Sequence, residues 1–125
     1  MTLAGTQILT NKTLTAPSIS NAVTTGSINA QTGTSYTIQL SDRDRIVELN
    51  NANAITLTVP TDAAVNFPVG SNVSLLQTGA GQVTVGGAGV TINSNPGLKL
   101  SGQWAAATLI KRAANTWVLI GNTAS

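Results

Sequence analysis

Residues 69–92 read VGSNVSLLQTGAGQVTVGGAGVTI, and this stretch decides the fold class. Val73 and Leu75 alternate with Asn72, Ser74 and Gln77; Val83 and Val85 alternate with Gln82 and Thr84; Val90 and Ile92 alternate with Thr91 and Asn93. A period of two belongs to strands with one buried face. The separators, Gly79-Ala80-Gly81 and Gly86-Gly87-Ala88-Gly89, supply residues that turn sharply without steric cost. The stretch predicts three strands in an antiparallel meander. It holds no ionisable side chain, so a sheet built from it and left open would aggregate. Other strands, or other copies of the chain, are expected to cover it.

Similar signals extend on both sides. Tyr36, Ile38 and Leu40 alternate with Thr37 and Gln39 and lead to a polar turn, Ser41 to Arg45. Ile46 to Leu49 is a second strand, Asn50 to Asn53 a turn, and Ile55 to Val59 a third strand stopped by Pro60. Residues 60–68, PTDAAVNFP, are where a short helical turn fits. Beyond the central stretch, Asn95-Pro96-Gly97 is a turn before a brief strand, Leu98 to Leu100. Ala107 to Ala113 and Trp117 to Ile120 form a hairpin around Ala114 to Thr116. Short strands at close intervals without a long helix predict an all-β domain, an antiparallel β-sandwich or jelly-roll-like barrel, over residues 34–125.

Residues 1–33 differ. Ile8, Leu14, Ile19, Val23 and Ile28 stand singly among Thr, Ser and Asn, too sparse for a self-sufficient sheet, and Pro17 and Gly26 interrupt the run. Such a segment cannot offset its ordering entropy alone. It is read as an extended N-terminal arm, either disordered or laid along a partner surface with those five residues as anchors.

Composition narrows the function. At 125 residues the chain makes one domain. It lacks cysteine and histidine, which removes disulfides, thiolate metal sites and the commonest general base. No catalytic, cofactor or metal site is expected, and the protein is not read as an enzyme. Charged residues make up 8% of the chain, against roughly 25% in ordinary domains. A surface so poor in charge is expected to be covered in an assembly. The net charge of +2 is spread along the chain, so a nucleic-acid surface is not expected. With no apolar run of about 18 residues and no signal-peptide pattern at the start, neither is a membrane partner.

Several sharper readings compete with plain ones. Asp42, Asp44 and Glu48 suggest an oxygen-ligand calcium site, but Arg43 and Arg45 interleave with them, and a solvated turn or inter-subunit ion pairs explain the same residues. Pairs drawn from these acids and Asp62 could serve glycoside hydrolysis, yet nothing in the spacing sets two across a cleft. The glycine clusters open no helix and read as turns rather than phosphate cradles. Trp104 and Trp117 could stack on a sugar ring, but tryptophans framed by Ala, Val and Leu are mostly core or subunit interface, as are Leu109 and Leu119.

The order of segments (LTNKTLTAP, VELNNANAITLTVP, FPVGSNVSLLQTGAGQVTV, GVTINS, LKLSGQWAAATLIKR and NTWVLIGN) resembles a module of tailed-bacteriophage virion proteins, found in minor tail and fibre-like proteins. The resemblance covers nearly the whole chain. It implies a trimeric, β-rich structural or adhesive element on the virion surface. In such relatives the module often ends a long tail protein, whereas here it follows a short arm. A homotrimeric capsid decoration protein, held on the major capsid protein or another virion protein through its arm, is therefore expected. The alternative is a tail or fibre module that recognises a host glycan.

Overall fold

In the computed structural model, which describes residues 27–125 together with Thr10, Asn11 and Thr13, the chain crosses between two sheets after nearly every strand. Strands β1 (Ile28–Gln31), β3 (Ile46–Leu49), β5 (Asn72–Gln77), β7 (Thr91–Ser94), β9 (Ala106–Ala113) and β10 (Thr116–Gly121) form six-stranded sheet A, ordered β1-β3-β5-β9-β10-β7. Strands β2 (Ser35–Thr37), β4 (Ile55–Thr58), β6 (Val83–Gly86), β8 (Lys99–Leu100) and β11 (Thr123–Ala124) form five-stranded sheet B, ordered β11-β8-β6-β4-β2.

The ladders β1-β3-β5 and β2-β4-β6 are parallel, so each consecutive pair of strands is one turn of a coil. The arrangement is β-solenoid-like and all-β, with two mixed sheets in place of the expected antiparallel sandwich or jelly-roll barrel. After β6 the coil is modified: β8 runs antiparallel to β6, and the β9–β10 hairpin enters sheet A between β5 and β7. Strand β7 then lies parallel to β10.

The central stretch shows why the expectation and the structure part. Its three strands lie close to the expected places, but none pairs with the next in sequence; β5 and β7 are in sheet A and β6 is in sheet B. Gly79 and Gly81 explain it. A Cβ on Gly81 would stand 1.8 Å from the carbonyl oxygen of Asn53, and one on Gly79 would be 2.6 Å from the Asn50 side chain. The glycines let this turn stack on the turn below and carry the chain to the opposite sheet, not fold it back.

Between the sheets, alternate residues of each turn stack in register. Val47 lies beside Leu75, and Leu57 beside Val85. These residues, with Ile38, Leu49, Val73, Leu100, Leu109, Trp117 and Leu119, are buried in one core. Phe67 meets Trp117 edge-to-face, with ring centroids 5.2 Å apart.

Smaller expectations are also revised. Leu40 ends no strand; it opens a 3₁₀ turn, Leu40–Asp42. The short helical turn expected in residues 60–68 is present, with Ala64 and Val65 both donating to Thr61 O. The sheet reaches back to Ile28, inside the stretch assigned to the arm, because β1 completes the first turn of the coil against β3. The anchors Ile8, Leu14, Ile19 and Val23 lie outside the described residues.

Candidate interaction surface

The two sheets present different outer faces. On sheet B the outward residues of the parallel ladder are Ser35, Thr37, Thr56, Thr58 and Thr84, small hydroxyl side chains suited to water. On sheet A they include Ile28, Ile46, Leu76, Ile110, Val118 and Ile120, interspersed with Asn72, Ser74, Thr91, Asn93 and Thr108. Ile28 is 59% exposed, Ile46 41% and Ile120 51%. Parallel ladders in stable proteins are normally covered on both faces, and sheet A has the composition for that but no cover of its own among the described residues.

The strands of sheet A carry three ionisable side chains, Glu48, Lys111 and Arg112. Lys111 points inward; it is buried and donates to Asp62 Oδ1 at 2.6 Å and to Phe67 O at 2.5 Å. Asp62 also accepts from the Asn115 N–H, and the Lys111 hydrogen bond above all holds its carboxyl below the usual carboxylate range. The pair ties loop 60–68 to the β9–β10 turn. The outer face itself holds Glu48 and Arg112, and neither forms an ion pair among the described residues.

Among the described residues, shallow dents lie on either side of Ile120 and Gly121, which line both. The first, about 330 Å³, is lined by Ile46, Leu76 and Ile120 and by the small residues Ser74, Ala106, Thr108 and Gly121. Gly121 has φ +136°, and a Cβ there would meet Ala106 O at 2.6 Å. At the rim, the loop before β9 is fixed to the end of β5. Trp104 N–H donates to Gln77 O at 2.6 Å, Gln77 N–H to Ala105 O at 3.0 Å, and Gln103 Nε2 to Thr78 O at 3.1 Å. Trp104 is 67% exposed, with a φ of +69°.

Two buried polar clusters hold the sheets in place. Asp42 accepts from Tyr36 OH at 2.6 Å, Gln39 N–H at 2.8 Å and Asn29 Nδ2 at 2.9 Å, joining β1, β2 and the 3₁₀ turn at the first coil. Burial first, then the hydrogen bond and charge of Asp42, push the Tyr36 phenol up to about 12. Gln77, fully buried, donates to Gly79 O and accepts from Val83 N–H, both at 3.1 Å, bracing the turn between β5 and β6.

The residues singled out in the sequence separate accordingly. Leu109, Trp117 and Leu119 are core. Trp104 is not; its exposure excludes the core. Ile28 is on the outer face of sheet A. Asp42 spends its carboxylate inside the fold, Asp44 is exposed in the turn and Glu48 faces outward, so the three do not converge. Among the described residues no three His, Cys, Asp or Glu form a group able to hold a metal.

No protein-family model matches the chain, and no curated protein matches it significantly.

Proposed function

We propose that the chain is a non-catalytic structural module of a bacteriophage virion, a homotrimer that decorates the capsid and attaches through its N-terminal arm. The observation that carries the assembly part is the apolar outer face of sheet A, set against the threonine-rich face of sheet B. An exposed sheet face with several isoleucines and only one charge of each sign favours burial against another protein surface over exposure to water. The virion assignment and the threefold count draw on the sequence resemblance. A second reading, a tail or fibre module that binds a host glycan, draws on the exposed Trp104 indole. Immunogold labelling of purified virions, with the copies counted by quantitative mass spectrometry, tests the choice. Hundreds of copies on the shell are expected; a few at the tail tip would favour the second reading.

A further inference from the structure

We propose that Trp104 of one copy seats in the dent between Ile46, Leu76 and Ile120 of the next, as the anchor of the contact between copies. This rests on the reading of the outer face of sheet A as the assembly surface, and it adds which residues lock it.

The knob is unusual for its position. A bulky aromatic with φ +69° occupies a backbone region that normally takes Gly or Asn, and the indole is 67% exposed. Strained, rigidly held residues of this kind cluster at binding sites. The backbone bonds from Trp104 to Gln77 and the Gln103 bond to Thr78 fix the loop, so little freedom remains to be lost on contact.

The hole matches it in chemistry. Its polar side-chain groups, the Ser74 and Thr108 hydroxyls, are 3.4 Å apart and face each other, and no charged residue lines it. Small-molecule sites add several convergent polar groups that fix orientation, and this dent lacks them. An apolar side chain is the better occupant. Trp104 precedes Ala106, a lining residue, by two positions, yet it does not line the dent of its own chain. Knob and hole thus lie two residues apart along the chain without satisfying each other.

Charge selects the partner. On the strands of this face the outward ionisable groups are Glu48 and Arg112, one of each sign and neither in an ion pair among the described residues. Such a face suits a second copy of itself better than a partner of strong net charge. Knob and hole at different points of the surface allow a reciprocal two-fold pair or a head-to-tail contact that closes into a ring, and the threefold reading takes the second.

The test uses the full chain with two substitutions at exposed positions: Trp104→Asn removes the knob and tolerates the backbone conformation, and Ala106→Phe fills the hole. Sedimentation velocity at micromolar concentration should show the wild type assembled and each variant at the mass of a single chain, with unchanged far-ultraviolet circular dichroism. Mixed one to one, the variants should form a two-chain species, since one keeps the hole and the other the knob. Should the wild type assemble and Trp104→Asn assemble equally well, the knob-and-hole contact is wrong while assembly through sheet A stands. A wild type that sediments as a single chain removes both. If Ala106→Phe fails to fold, Trp104→Asn decides alone.

Discussion

Replacing Gln77 with Met tests whether the coil depends on its internal amide brace. The side chain is fully buried, and its two hydrogen bonds serve groups at opposite ends of one turn, Gly79 O and Val83 N–H. Methionine keeps nearly the same length, so the cavity contribution is small. What is lost is pairing. A buried backbone group left without a partner costs about 1–3 kcal/mol, so two of them place the loss between about 2 and 6 kcal/mol. At about 4–8 °C per kcal/mol for a domain of roughly 100 residues, the melting temperature should fall by about 8 °C or more. Gln77→Glu supplies an internal control. Its carboxylate can still accept from Val83 N–H but cannot donate to Gly79 O, and burial disfavours its charge. The introduced carboxyl therefore has a raised pKa in the folded state, and this variant, unlike the wild type, should gain stability as pH falls from 7 towards 5. Urea unfolding of both variants decides. If Gln77→Met lies within about 0.5 kcal/mol of the wild type, the brace contributes nothing and the turn is held by the stacked glycines alone.

Tyr36, the only tyrosine, should titrate near 12 by ultraviolet absorbance; a midpoint at the ordinary value of 10.0 would mean that the phenol is neither buried nor bonded to Asp42. Because its folded pKa is raised, its contribution to stability is complete below pH 10 and is lost as pH rises towards 12. Trp117→Ala empties the core beside Phe67 and should cost about 3–5 kcal/mol in chemical denaturation, or abolish folding; a loss below about 1 kcal/mol would place the indole outside the core. Deleting residues 2–26, which spares β1, should leave the circular dichroism of the β domain intact and abolish co-sedimentation with virions; particles still coated at wild-type occupancy would assign attachment to the β domain.

Apart from β1, read as part of the arm, and the two-residue β11, the strands were legible; their partners were not, for a physical reason. Alternation with period two says which residues face a core, and it is the same whether a strand folds back on its neighbour or crosses to another sheet. Glycines at 79 and 81 read equally well as a hairpin or as a stacked turn. What distinguishes the two is their contact with Asn50 and Asn53, about thirty residues away in sequence and invisible to any local pattern. The outer face did leave a signal. Leu75-Leu76, Leu109-Ile110 and Val118-Leu119-Ile120 break the alternation with adjacent apolar residues, which marks strands apolar on both faces. Thr56-Leu57-Thr58 and Val83-Thr84-Val85 in sheet B keep it strictly. The tryptophans separate on similar grounds. Trp117 opens the apolar run of strand β10, whereas Trp104 follows Ser101-Gly102-Gln103, a turn sequence that holds it outside the core.

Sedimentation equilibrium of the wild-type chain at micromolar concentration tests self-assembly most directly. The predicted mass is three times the 12.7 kDa of one chain, with Trp104 fluorescence protected from iodide quenching in the assembled state. A single species of 12.7 kDa, with an indole as open to iodide as its 67% exposure implies, would contradict assembly through sheet A and leave its apolar outer face without a partner.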